Sequence, residues 1–207
     1  MAKRLRGALV INLIIVVLEI AASLFRIREA EDCLLFYYTQ ISNFLALIIS
    51  VIYAVSYLFF YNKDVNSSND GNLFTNVIPL LRYTSSSMLG MTFLVVMCAL
   101  LPIGVDAKSL LLTPNGFIQH LLIPVISTFS YLILEKKKSG KRIILLPFSI
   151  TLAYGLTMMQ LNYFGIADGP YPFFRVNQQS TMTSILWLFV LGCLILAVSY
   201  GFTKSKE

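Results

Sequence analysis

Charge is scarce in this chain. Asp, Glu, Lys and Arg make up 13% of its 207 residues, and apolar residues 57%. Soluble domains carry about 25% charged and about 45–50% apolar residues. Too little charge remains to build a water-facing shell, which excludes a soluble domain. Histidine is scarcer still: His120 is the only one, which excludes a multi-histidine metal site within one chain. The cysteines are Cys33, Cys98 and Cys193. Their odd number implies no disulfide framework, and the latter two, inside apolar runs, read as small core residues. The chain has no G-x-S-x-G elbow and no glycine-rich phosphate loop, and no cofactor is expected. The net charge of +6 does not mark a nucleic-acid binder, because the basic residues cluster at the ends of apolar runs.

Long apolar runs are what the chain has instead. A bilayer-spanning helix needs about 20 mostly apolar residues, and six runs qualify: Gly7–Phe25, Leu34–Tyr61, Tyr83–Ile103, Asn115–Leu134, Ile143–Tyr163 and Thr181–Phe202. Strand alternation is absent, which argues against a β-barrel. The fold expected is all-α: one six-helix transmembrane domain over residues 1–207. The first run, with Glu19 inside it, is longer than a signal-peptide core and reads as a retained span. Asn62–Asn72 is polar and turn-rich and reads as a loop. Oligomeric state is not legible.

Basic residues orient the bundle. With the N-terminus inside, Lys3, Arg4, Arg6, Lys63, Arg82, Lys136, Lys137, Lys138, Lys141, Arg142, Lys204 and Lys206 fall inside. Arg26, Arg28, Lys108 and Arg175 fall outside. This asymmetry places both termini in the cytoplasm and suits the plasma membrane of a bacterium.

Polar residues within spans cost free energy, so their positions carry information. Asn12, Glu19, Ser23 and Arg26 form one stripe on the first span. Thr39, Ser42 and Asn43 share a face of the second. His120, Pro124, Ser127 and Tyr131 share a face of the fourth. At 1.5 Å per residue, Thr39 and His120 both lie about 7–8 Å below the outer span ends, and Glu19 about 9 Å. Gln160 and Asn162 fall near the same layer. Pro124 lacks an N–H, which frees the carbonyl of His120 in a regular helix. Against these readings, Thr39 taken alone is more often a residue bonded back to its own helix, and Ser42 and Asn43 are more often contacts between helices. The aromatic segment Gly169–Phe174 reads as a headgroup belt, and Ser86 with Gly90 as a close helix contact.

At Tyr37-Tyr38-Thr39-Gln40-Ile41-Ser42-Asn43, at His120-Leu121-Leu122-Ile123-Pro124 and at Tyr171-Pro172-Phe173 the chain resembles the androgen-induced membrane proteins and their bacterial six-span relatives. The likeness extends over nearly the whole chain in the number and order of spans. Animal members of that family are threonine hydrolases of fatty acid esters of hydroxy fatty acids. The resemblance implies Thr39 as nucleophile and His120 as the essential histidine. Thr-x-x-Ser-Asn is closer to the bacterial relatives, and the His-to-Pro spacing is shorter than in the animal proteins.

The chemistry implied is hydrolysis of a long-chain lipid ester. A threonine hydroxyl needs an adjacent base, and imidazole is the side chain suited to it at neutral pH. Glu19 is a candidate to orient the ring, and Gln40, Asn43 and Gln119 are candidate oxyanion donors. Ser42, Gln160, Asn162 and Tyr171 complete the expected site. The rival readings are a non-catalytic lipid-binding or transport protein and an intramembrane protease. Beyond a lipid-ester substrate, the expected partner is the bilayer itself.

Overall fold

The computed structural model describes residues 2–28, 36–66, 77–135 and 141–205. The acidic segment after Arg28, Cys33, residues 67–72 of the polar linker, Lys136–Lys138 and Lys206 lie outside the described residues. Among the described residues the secondary structure is helical throughout, and six helices are long and apolar enough to cross a membrane. They are α1 (Ala2–Arg28), α2 (Tyr38–Asn66), α3 (Ile78–Leu100), α4 (Pro114–Leu134), α5 (Leu145–Tyr163) and α6 (Thr181–Lys204).

Local chemistry sets several of the ends. The Thr113 hydroxyl accepts from the Gly116 amide at 3.0 Å, with Pro114 in the first turn of α4. Ser180 caps α6 by accepting from the Thr183 amide at 3.1 Å. Each cap satisfies an amide that has no partner within its helix. At the other end of α2 the polar residues from Asn62 to Asn66 continue the helix. The expectation of a loop from Asn62 is therefore corrected: helix propensity tolerates Asn, Lys and Asp once a long helix is already nucleated.

Helix α3 is the most buried of the six and packs against α2, α4, α5 and α6, while α1 closes the bundle against α2 and α4. Its serines and glycine allow this. Ser86 and Ser127 share a hydrogen bond at 3.1 Å across α3 and α4, and Gly90 faces Val198 and Phe202 of α6. Near the start of α3 the Tyr83 hydroxyl donates to the Ser199 carbonyl of α6 at 2.8 Å.

Arg82 corrects the charge reading. It is no headgroup anchor but is fully buried, with Nε 3.1 Å and Nη2 2.9 Å from Glu135 Oε1. Ser130 Oγ donates to the same oxygen at 3.0 Å. A guanidinium in the low dielectric of a bundle needs a carboxylate and geometrically matched hydrogen bonds, and Glu135 at the end of α4 supplies them. Cys98 and Cys193, expected in the core, are free thiols on the exposed surface; a thiol is apolar enough to face lipid.

The aromatic segment after α5 is a second correction. Tyr171, Phe173 and Phe174 do not line a headgroup belt but are buried in the largest apolar cluster, with Tyr38, Met91 and Tyr154. Gly169 makes the inward fold possible, because a Cβ there would lie 2.6 Å from the Phe174 carbonyl carbon. Aromatic rings bury large areas, and three of them in one short segment gain more from the core than from the interface.

Candidate functional site

Helix α2 begins inside the bundle. Its first residue is Tyr38 and not Leu34 as the apolar run suggested. The Tyr38 hydroxyl bonds Thr151 Oγ1 at 2.7 Å, and the Tyr154 hydroxyl donates to the Phe36 carbonyl at 2.6 Å. Tyr154 lies about 13 Å of helical rise before the end of α5. The start of α2 is thus recessed within the bundle relative to the C-terminal end of α5, with Thr39 in its first helical turn.

At that turn the first amides have no partner within the helix. Tyr171 meets one of them: its hydroxyl accepts from the Thr39 amide at 3.4 Å and bonds Thr39 Oγ1 at 3.2 Å. When the phenol gives its own proton to Thr39 Oγ1, the threonine proton is left to point elsewhere. Tyr171 lies outside the spans, and burial holds its phenol above the ordinary tyrosine value, so it stays a neutral O–H group.

His120 is held from the other side. A turn at Lys108–Leu112 folds back on the start of α4, and the Leu110 carbonyl lies 2.8 Å from His120 Nδ1. A carbonyl only accepts, so Nδ1 carries the proton and Nε2 of the neutral ring holds the lone pair. Gly116 permits this approach: a Cβ there would lie 2.6 Å from the Leu110 oxygen. The ring is therefore oriented by a backbone carbonyl, not by Glu19.

Pro124 acts differently from the expectation too. Ile118–Leu122 is a wider π turn, and the main-chain carbonyl taken by a side chain here is that of Gln119, which accepts from Asn43 Nδ2 at 3.2 Å. In a π turn the acceptor lies five residues back, which for Pro124 is Gln119. Insertion of the wider turn shifts the missing hydrogen bond by one residue.

The amides form a chain beside the dyad. Gln40 Nε2 donates to Gln119 Oε1 at 2.6 Å, and Gln119 Nε2 donates to Glu19 Oε2 at 3.2 Å. Asn43 Nδ2 also donates to the Thr39 carbonyl at 2.8 Å, as does Ser42 Oγ at 3.0 Å. The three expected oxyanion donors, Gln40, Asn43 and Gln119, are thus engaged in holding α2 to α4 and α1. Glu19 faces the interior and accepts from Gln119, while of its stripe Asn12 bonds the Ala8 carbonyl and Ser23 is exposed.

Thr39 and His120 line one cavity of about 320 Å³, together with Arg26, Gln40, Asn115 and Tyr171. Among the described residues no hydrogen bond joins Thr39 to His120; their partners are Tyr171 and Leu110. Gln160 and Asn162 are not brought there. Gln160 is exposed in a separate groove, and Asn162 holds the chain after α5 by donating to the Ala167 carbonyl at 3.2 Å. Gln160 points away because α5 turns its Thr151–Tyr154–Met158 face inward; Asn162 shares that inward face, at the end of the helix. Leu110 and Gly116 belong to the site but carry no sequence signal beyond a glycine after a helix cap.

No protein-family model, curated protein or solved structure matches the chain.

Proposed function

We propose that this protein is an intramembrane threonine hydrolase that cleaves long-chain lipid esters, with Thr39 as nucleophile and His120 as base. The observation that carries the reading is the common cavity of the two side chains, with His120 Nδ1 tied to the Leu110 carbonyl. The lone pair of Nε2 is then free to take the threonine proton. As Thr39 Oγ1 bonds the ester carbonyl carbon, Nε2 accepts that proton. The carbon–oxygen bond to the alcohol breaks, and Nε2–H protonates the departing alkoxide. Water next attacks the acyl-threonine with the same nitrogen as base, releasing the fatty acid and restoring the Thr39 hydroxyl.

In this scheme the Tyr171 hydroxyl and the Thr39 amide, which bond each other in the free protein, turn to the oxyanion as it forms and serve as its donors. Both are neutral N–H or O–H groups at the start of α2, where the helix dipole also favours developing negative charge. The likeness to the androgen-induced membrane proteins and their bacterial relatives is part of the same proposal. So is the orientation, with both termini cytoplasmic and the site in the outer half of a bacterial plasma membrane.

A second reading, a non-catalytic lipid binder or transporter, is favoured by one observation: the Thr39 hydroxyl bonds Tyr171 and not the imidazole. Covalent labelling by a fluorophosphonate probe separates the two. Hydrolysis predicts label on Thr39 that is lost in His120→Ala; binding alone predicts no label.

A further inference from the structure

Val105, Ser109, Leu110 and Thr113 of the cavity wall come from the connection between α3 and α4. That connection is built around Asp106, an exposed residue. Its carboxylate accepts from the Lys108 amide at 3.1 Å and from the Ser109 amide at 3.0 Å, one oxygen for each. Its carbonyl accepts from the Ser109 hydroxyl at 2.9 Å and from the Leu110 amide at 3.1 Å. The first amides of a helical turn have no partner within it. An acidic side chain placed just before them satisfies them and suits the positive end of the turn.

The turn delivers the Leu110 carbonyl to the histidine. In a continuing helix that oxygen would accept from residue 114, but Pro114 has no N–H to give, and Thr113 breaks the turn with an extended backbone. The oxygen lies 2.8 Å from His120 Nδ1 instead. Thr113 Oγ1 donates to the Ser109 carbonyl at 3.0 Å and accepts from the Gly116 amide at 3.0 Å, which ties the turn to the start of α4. An unbroken series of hydrogen bonds thus runs from Asp106 through Leu110 to His120.

We propose that Asp106 is a positioning residue for His120. Its carboxylate fixes the 108–112 turn, and the turn holds the Leu110 carbonyl against Nδ1, so that the proton sits on Nδ1 and the lone pair on Nε2. Asp106 stands outside the cavity wall, so it acts through the turn and not on a ligand. Its effect on turnover rests on the hydrolase reading; its hold on the ring does not.

His120 is the only histidine, so protein carrying isotope-labelled histidine gives one pair of ring-nitrogen resonances, whose shifts report which nitrogen holds the proton. At a pH where the ring is neutral, the wild-type pair should show the proton on Nδ1. Asp106→Ala should move it toward Nε2 and lower ester turnover several-fold. Asp106→Asn, whose side-chain oxygen still accepts from a turn amide, should restore both. Ser180→Ala is the stability control: it removes a cap of the same kind from α6, where Ser180 accepts from the Thr183 amide at 3.1 Å, and should leave the pair unchanged. A wild-type proton on Nε2, an unchanged pair in folded Asp106→Ala, or the same change in Ser180→Ala would overturn the proposal. A pair shifted by Asp106→Ala in a protein that hydrolyses no ester would uphold the positioning role and refute the hydrolase reading. An unshifted pair in a protein that does hydrolyse esters would do the reverse.

Discussion

The Tyr171 hydroxyl stands 3.2 Å from Thr39 Oγ1 and 3.4 Å from the Thr39 amide nitrogen, so one phenol from the segment after α5 meets the hydroxyl and the amide of a residue in the first turn of α2. In the proposed hydrolase the phenol would direct the threonine proton away from itself before reaction and turn to donate to the oxyanion once it forms. Tyr171→Phe keeps the ring in the core and removes both. Turnover of a long-chain ester should fall about 10²–10³-fold, the effect of losing one oxyanion donor, while loss of the acceptor for the Thr39 amide should cost about 1–3 kcal/mol of stability. Because burial raises the phenol above its ordinary value of about 10, the neutral form persists as pH rises. The wild-type rate should therefore show no decline from tyrosine ionisation up to pH about 10.

Gly116 tests the histidine side. Gly116→Ala places a methyl group 2.6 Å from the Leu110 carbonyl oxygen and must push it off His120 Nδ1. Overpacking of this kind costs about 1–3 kcal/mol. Turnover should fall with stability, and the histidine proton resonance should lose the signature of a ring N–H bonded to a carbonyl. Gly201→Ala, where nothing lies within 4 Å, is the matched control and should be neutral or slightly stabilising.

The Arg82–Glu135 pair is a stability element far from the dyad. Arg82→Met removes the guanidinium that contacts Glu135 at 2.9 Å and leaves a carboxylate buried without it. Loss of one partner of a buried pair costs about 3–5 kcal/mol. Denaturation in detergent should show that loss in Arg82→Met and recovery of most of it in Arg82→Met/Glu135→Leu, with ester turnover intact in the double variant.

Glu19 separates a structural carboxyl from a catalytic one. It accepts from Gln119 at 3.2 Å and does not touch His120. Glu19→Gln keeps an acceptor for Gln119 and should retain both fold and turnover. Glu19→Leu leaves the amide chain without its end and should destabilise by about 1–3 kcal/mol. Wild-type thermal stability in Glu19→Leu would contradict the inward placement.

The spans and the common cavity of Thr39 and His120 were legible because polar groups in apolar runs stand out against their surroundings. The start of α2 was not: Leu34 to Tyr37 are as apolar as the helical residues beyond them, and the helix begins where Tyr38 and Tyr154 find partners on other segments. Arg82 read as an anchor because its partner lies 53 residues away in sequence. Tyr171 read as a belt residue because interfacial and buried aromatics have the same composition. At the π turn before Pro124 a side chain of α2, Asn43, reaches the Gln119 carbonyl, a contact between residues 76 apart in sequence that no local pattern encodes.

The central claim is that Thr39 and His120 act as one unit on an ester. The most direct measurement is turnover of a long-chain fatty ester by the purified protein in lipid, compared with folded Thr39→Ala, His120→Ala and the double variant. Residues that act together lose activity non-additively. Each single variant should abolish turnover and the double should be no worse than either, while Thr39→Ser keeps part of the rate. A folded Thr39→Ala protein that turns over the ester at the wild-type rate would contradict threonine catalysis.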